Sequence, residues 1–86
     1  MKKEMIEMIE IAVKPKYIKE SDYNKVVNCL TENTKIVFES DDYLIAIVPQ
    51  GTQAFEKMKA LMSLKIDFEI SYSKVDSEGY FYYKEN

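Results

Sequence analysis

Apolar residues divide the chain into short runs and periodic stretches, and the clearest of these lie between residues 42 and 65. Residues 43–48 are continuously apolar and rich in β-branched side chains, which is typical of a buried central strand. Pro49 and Gly51 then occupy positions that favour a type I turn, and Thr52 is a suitable helix cap. Three- and four-residue spacing predicts a helix that continues from this turn to residue 65. Its predicted core-facing residues are Ala54, Phe55, Met58, Leu61 and Met62.

Two elements precede this unit. Residues 6–14 are rich in β-branched side chains and end at Pro15, which favours a strand, although glutamates recurring every three residues leave a helix open. Ser21 is a predicted N-cap for a helix over residues 22–31. Asn33 is suited to the left-handed conformation that ends such a helix. The apolar face of this helix is predicted to consist of Tyr23, Val26, Val27 and Leu30.

Three further strands complete the predicted order. Residues 35–40 form a strand that a tight turn joins to the central strand. Residues 66–73 alternate strictly between apolar and polar side chains, as a half-buried strand does. A turn at residues 76–79 precedes a final strand at residues 80–83. The predicted core-facing residues of the alternating strand are Ile66, Phe68, Ile70 and Tyr72.

The chain also contains an internal similarity. The motif that begins at Lys35 reappears at Lys65, 30 positions later, and the motif that begins at Tyr23 reappears at Phe55, 32 positions later. Two β-α-β halves are what a ferredoxin-like split β-α-β fold requires, whereas coincidence in a chain of biased composition is the alternative. We therefore predict one α+β domain over residues 1–86. It would have a ferredoxin-like antiparallel sheet, two helices on one face of that sheet and an added C-terminal hairpin strand.

Composition narrows the class of protein. A chain of 86 residues with 47% hydrophobic content is expected to be one globular domain. It has a single cysteine, so an internal disulfide is excluded. No apolar run approaches the roughly 20 residues needed to span a bilayer, and acidic residues interrupt the N-terminus, so we expect a cytoplasmic protein without a signal peptide. The net charge of -3 argues against bulk nucleic-acid binding.

Residues for catalysis or metal binding are scarce. The chain has no histidine, the usual general acid–base, and we expect neither an enzyme nor a cofactor. Asp67 and Glu69 share a strand face, and Glu39 would join them if the halves were symmetric, but a solvated acidic face explains them better than a metal site. Cys29 beside the first helical stripe is interpreted as a core filler.

Nucleic-acid binding is also expected to be absent. A short basic patch surrounds Tyr17 and consists of Lys14, Lys16 and Lys19. The predicted third strand offers only Tyr43 for stacking on a base, and the signature of RNA-recognition domains is missing. These residues are therefore weak support for a nucleic-acid site in an acidic chain.

The C-terminal aromatic residues are the feature most suggestive of function. Side chains alternate along a strand, so four consecutive aromatic residues cannot all face one core. They would cover the chain's own sheet, form a homodimer or bind another protein. The predicted partner surface is this hairpin with the adjacent open sheet face and an acidic rim. Its residues are Tyr72, Tyr80, Phe81, Tyr82, Tyr83, Asp67 and Glu69.

These patterns predict a non-enzymatic protein-interaction module. Its most specific form would be a small acidic inhibitor or modulator, encoded by a phage or mobile element, of a host defence or nucleic-acid-processing protein. A basic partner surface is favoured because the chain is acidic. The alternative is a homodimeric small-molecule-sensing regulatory domain. A convex surface with no pocket would favour the inhibitor, and a flat two-fold sheet interface would favour the sensor or a structural dimer. A pocket lined by serine, tyrosine and carboxylate side chains would instead favour an enzyme.

Overall fold

The first strand lies in the middle of the sheet. A computed structural model describes residues 5–34, 36–76 and 81–85. Strand β1 spans Met5–Val13, which confirms the strand prediction over the helical alternative. Pro15 begins a single 3-10 turn, Pro15–Tyr17, in which the Tyr17 backbone N–H donates to the Lys14 carbonyl at 3.1 Å. The strand thus ends where the proline ring fixes the backbone.

Two helices and four further strands follow. They are α1 Glu20–Thr31, β2 Ile36–Glu39, β3 Leu44–Pro49, α2 Thr52–Ser63, β4 Phe68–Asp76 and β5 Phe81–Glu85. The strand order is β2-β3-β1-β4-β5, and every neighbouring pair is antiparallel. The α+β class, the antiparallel sheet with two helices and the interior position of β3 are therefore confirmed.

Alternation along β1 and β3 places one set of side chains under the helices. The main core cluster combines every second residue of both strands with two residues of each helix. The cluster is Ile9, Ile11, Val13, Leu44, Ala46, Val48, Val26, Leu30, Ala54 and Leu61. Both helices therefore lie on the same face of the sheet. Partly buried Cys29 packs against the cluster, as expected of a small core side chain.

Both helices begin differently from the prediction. Helix α1 starts at Glu20, so Ser21 lies inside the helix and does not cap it. Helix α2 is preceded by Gly51, whose φ of 134° belongs to glycine, and Thr52 is its first residue. Pro49 still pairs with Met8 on β1, so the expected type I turn does not form. Backbone conformation rather than a side-chain cap starts α2.

Both helices end in a left-handed residue. Asn33 has φ 55°, which confirms the prediction, because asparagine tolerates this conformation. Lys65 has φ 59° at the equivalent position after α2. There the Ile66 N–H donates to the Leu61 carbonyl and the Lys65 N–H to the Met62 carbonyl, both at 3.0 Å. This is a Schellman motif with lysine where glycine is preferred.

The two halves repeat at one constant spacing. Helices α1 and α2 begin 32 positions apart and end 32 positions apart, and so do the starts of β2 and β4. The left-handed residues Asn33 and Lys65 keep the same spacing. The helix motif at Tyr23 and Phe55 therefore matches the structural repeat. The strand motif at a spacing of 30 is out of step with it by two residues.

A lysine occupies a core position of α2. Lys57 is 7% exposed, and its Nζ donates to the carbonyls of Cys29 and Glu32 at 2.6 Å each. These carbonyls lie at the C-terminal end of α1, where backbone acceptors lack helical partners and a cation is favoured. Burial raises the pKa of the Cys29 thiol above its ordinary value; the Lys57 charge opposes this shift and the Glu32 charge adds to it.

The buried side of α2 is therefore not the one predicted. Phe55 and Met62 are exposed to 60% and 66%, so their assignment to the core was wrong. The buried residues of α2 are Ala54, Lys57 and Leu61, with Met58 partly buried beside them. A periodicity analysis assigns lysine to the solvent-exposed side of a helix. The predicted buried side of α2 is therefore rotated about the helix axis relative to the observed one.

Candidate functional site

A cleft opens at one end of the sheet. Its volume is about 480 Å³, and its apolar floor is formed by the partly buried side chains of Ala12, Ile18, Ile66 and Phe68. The exposed rim carries both signs of charge: Lys14 and Lys65 are basic, and Asp67 and Glu69 are acidic. Tyr17 and Tyr43 complete the lining. The protein thus has a concave site in the size range of small-molecule sites.

Strand register explains why these residues meet. Val13, the last residue of β1, pairs with Leu44 at the start of β3 and with Phe68 at the start of β4. The residues just outside these strand ends, Lys14, Tyr43 and Asp67, therefore gather at the same end of the sheet. The Schellman motif ends α2, and the residues that take part in it, Lys65 and Ile66, lie at this end of the sheet.

Two lysines at or near the cleft lie over aromatic rings. The Lys14 Nζ lies 5.8 Å from the centre of the Tyr43 ring, and the Lys16 Nζ lies 5.3 Å from the centre of the Tyr17 ring. Both distances are within the range of cation–π contacts. Within the described part of the chain, no ion pair joins the rim lysines to Asp67 or Glu69.

The acidic residues do not form a metal centre with Glu39. Glu39 lies on β2, and β3 and β1 separate it from β4, so the expected proximity of Glu39 and Glu69 was wrong. At about 4.8 Å per strand these positions are about 14 Å apart. Among the residues that the structure describes, no group of three potential metal ligands occurs.

Exposed large apolar side chains occur on both α2 and β4. Phe55 and Met62 are seven residues apart, so they lie on one side of α2. Ile70 and Tyr72 pair with Ile11 and Ile9, which face the helices, and therefore lie on the helix side of β4.

These β4 side chains are not covered by the helices. Ile70 is 43% exposed and Tyr72 is 49% exposed, although the sequence predicted both to face the core. The prediction assigned the correct strand face but assumed that a helix would cover it. Only Ile66 and Phe68, at the start of the predicted strand, pack against the main cluster.

The sheet face opposite the helices is not open at its centre. Met8, Glu10, Ile47 and Ser73 are buried there. The Ser73 Oγ is buried without a hydrogen-bond partner among the described residues. The centre of the face opposite the helices is therefore not an open apolar surface.

The predicted partner residues are distributed over several places. Tyr72 lies on the helix side of β4, while Asp67 and Glu69 line the cleft. The backbones at positions 81–83 lie on β5, where Phe81 pairs with Val75 and Tyr83 with Lys74. The side chains of Phe81, Tyr82 and Tyr83 and all of Tyr80, like the turn at residues 77–79, lie outside the described residues.

Comparison with known proteins adds no family. No protein-family model, no curated protein and no solved structure matches the chain. Neither helix in the described ranges has the length and apolar character needed to traverse a lipid bilayer. Function must therefore be inferred from the two surfaces themselves.

Proposed function

We propose that the chain is a non-enzymatic protein-interaction module that docks another protein on the surface formed by Phe55, Met62, Ile70 and Tyr72, hereafter the α2–β4 surface. The observation that carries the proposal is the exposure of these four large apolar side chains. Single exposed apolar residues are ordinary in proteins, but a contiguous apolar patch is typical of an interaction site.

Connectivity supports the contiguity of this surface. The chain leaves β3, runs through α2 and returns as β4 on the far side of β1, so α2 crosses toward β4. Lys57 marks the flank of α2 that faces α1, since its Nζ reaches the end of that helix. Phe55 and Met62 lie about 140–160° around the helix from Lys57. They are therefore on the flank of α2 that faces away from α1, and the connection to β4 supports placing that flank on the β4 side.

The dimensions of the layers support the same arrangement. Two adjacent helices of about 10 Å diameter cover about four strands spaced about 4.8 Å apart. The sheet has β5 beyond β4, so its helix side extends past the helices at this edge. By this estimate β5 lies beyond the helices, and the exposure of Ile70 and Tyr72 shows that part of the neighbouring strand β4 is uncovered as well.

Charge favours a basic partner. The net charge is -3, and Asp67 and Glu69 are exposed at the start of β4. Such charges would steer a basic protein toward the surface and make the association rate depend on salt. The inhibitor of a host protein, encoded by a phage or mobile element, remains the most specific form of this proposal, supported by small size and acidity alone.

The proposal also concerns the topology of the sheet and helices. We infer a ferredoxin-like split β-α-β arrangement with one added strand, because the order β2-β3-β1-β4 interleaves two β-α-β units. The constant spacing of 32 residues between the halves supports this inference. Such folds host many functions, so the surfaces and not the topology carry the functional argument.

Paired substitution tests the docking surface. The double variant Phe55→Gln, Tyr72→Gln should lose about 2 kcal/mol of binding energy, or about thirtyfold in Kd, because large aromatic side chains carry most interface energy. A partner captured by the wild-type chain is titrated against each variant, and sedimentation velocity measures self-association in parallel.

The control carries the same two substitutions elsewhere. Tyr23→Gln, Phe38→Gln removes one tyrosine and one phenylalanine that are exposed on α1 and β2. This control should keep wild-type affinity. The docking surface is wrongly placed if the two double variants bind equally well while both retain the wild-type circular dichroism spectrum. A loss of self-association confined to the α2–β4 variant would identify a second copy as the partner.

The cleft favours a second candidate function, a homodimeric small-molecule-sensing domain. Its volume and its mixture of apolar floor and charged rim fit a small ligand better than a protein side chain. In this second candidate function, the protein would be a regulator that responds to a small molecule and not an inhibitor of another protein.

A further inference from the structure

We propose that the cleft at the end of the sheet binds a free α-amino acid with an apolar or aromatic side chain, recognising it as a zwitterion. The proposal rests on the second candidate function, and it is independent of the α2–β4 surface. Nothing in the comparisons assigns a ligand to these residues.

The separated charges carry the argument. Lys14 and Lys65 line the same cleft as Asp67 and Glu69, and no ion pair among the described residues joins the two sets. Opposite charges in one small cleft ordinarily neutralise each other when their side chains can meet. Without an ion pair between them, they offer ammonium donors to a carboxylate and carboxylate acceptors to an ammonium group. A zwitterion presents both groups within one molecule.

The floor indicates the character of the side chain. Ile18, Ile66 and Phe68 are partly buried and have no polar side-chain atoms to offer a ligand. The rings of Tyr17 and Tyr43 line the same space. An apolar or aromatic side chain would cover this floor, while a polar one would lose its hydration without gaining hydrogen bonds.

Lys65 is placed in the cleft by a backbone that lysine does not prefer. Its φ of 59° is left-handed, and glycine is the usual residue at this point of a Schellman motif. Glycine there would end the helix equally well but would bring no charge to the rim. The lysine thus brings an ammonium group to the cleft, although its left-handed backbone conformation is energetically unfavourable.

A ligand series on the wild-type chain tests the zwitterion requirement. Amide chemical shifts of the ¹⁵N-labelled protein are followed while L-phenylalanine, N-acetyl-L-phenylalanine or L-phenylalaninamide is added. The second compound lacks the ammonium group, and the third lacks the carboxylate. L-phenylalanine should give saturable shifts at Tyr43, Ile66 and Phe68, with affinity at least about tenfold above both analogues, because each analogue loses charge-assisted hydrogen bonds.

Two double variants assign the charges. Lys14→Gln, Lys65→Gln should weaken L-phenylalanine about tenfold but leave the amide unaffected, and Asp67→Asn, Glu69→Gln should weaken it similarly but leave the N-acetyl compound unaffected. The matched control is Glu56→Gln, Lys59→Gln, which neutralises one exposed charge of each sign on α2. This control should bind like the wild type.

Several results would overturn the proposal. Equal affinity for N-acetyl-L-phenylalanine would identify a peptide C-terminus or another anion as the ligand, and equal affinity for the amide would identify a cation. An absence of saturable shifts up to the solubility limits would exclude the site altogether. Should a double variant fail to fold, the ligand series on the wild-type chain still decides. None of these outcomes alters the test of the α2–β4 surface.

Discussion

Removing the ammonium group of Lys57 should destabilise the fold more than any other single change on the polar side chains of α2. The substitution Lys57→Met keeps the length and most of the apolar stem but deletes both hydrogen bonds to the carbonyls of Cys29 and Glu32, each 2.6 Å long. Hydrogen bonds to a charged group contribute about 1.5–3 kcal/mol each. The substitution also removes the cost of burying an ammonium group, which offsets part of the loss of these hydrogen bonds. We expect a net loss of about 2 kcal/mol in the free energy of unfolding.

Urea denaturation of Lys57→Met and of Lys59→Met measures this effect. Lys59 is two residues away on the same helix and exposed, so the same substitution there should change stability by less than about 0.5 kcal/mol. Lys57→Arg gives a further comparison, because a guanidinium donates to carbonyls but is larger than the space occupied by the ammonium. If Lys57→Met and Lys59→Met have equal midpoints and equal slopes, the cation does not stabilise the end of α1 and the reasoning is refuted.

Two other residues give predictions with a defined sign. Lys65→Gly should raise the free energy of unfolding by about 1 kcal/mol, because glycine adopts φ 59° without the steric cost that lysine pays; a loss in thermal denaturation would argue against strain there. The thiol of Cys29 should ionise above the ordinary thiol range, because burial raises its pKa, and Lys57→Met should move the midpoint of thiol alkylation to still higher pH. The neutral buried thiol therefore makes its full contribution to stability below its ordinary pKa. This contribution declines as the pH rises through the raised pKa, and Cys29→Ala should abolish the decline.

Apolar periodicity was sufficient to predict the elements and the class of fold. The continuous apolar run at residues 43–48 predicted an interior strand, and β3 lies between β2 and β1. Interior strands are buried on both faces, and only such a strand tolerates apolar residues at every position. The left-handed Asn33 was predictable for the same local reason, since few residues tolerate that conformation.

Periodicity could not predict the buried lysine. A hydrophobic pattern assigns Lys57 to solvent, but the carbonyls at the end of α1 provide acceptors that are in position only in the folded chain. Including Lys57 in the buried side rotates α2 and turns Phe55 and Met62 outward. The pattern Ala54, Lys57, Leu61 has helical spacing, so it was a usable signal, but choosing it required knowledge of the neighbouring helix.

The two halves of the repeat show why exposed apolar residues concentrate on α2 and not on α1. Leu30 and Met62 occupy equivalent positions 32 residues apart, yet Leu30 is fully buried while Met62 is largely exposed. Backbone symmetry therefore does not dictate burial. The surroundings of the two helices differ, since α1 is followed by the short edge strand β2, whereas α2 is followed by β4, beyond which β5 extends the sheet. A residue equivalent to a core residue is thus exposed on α2, and under the proposed function it belongs to the α2–β4 surface.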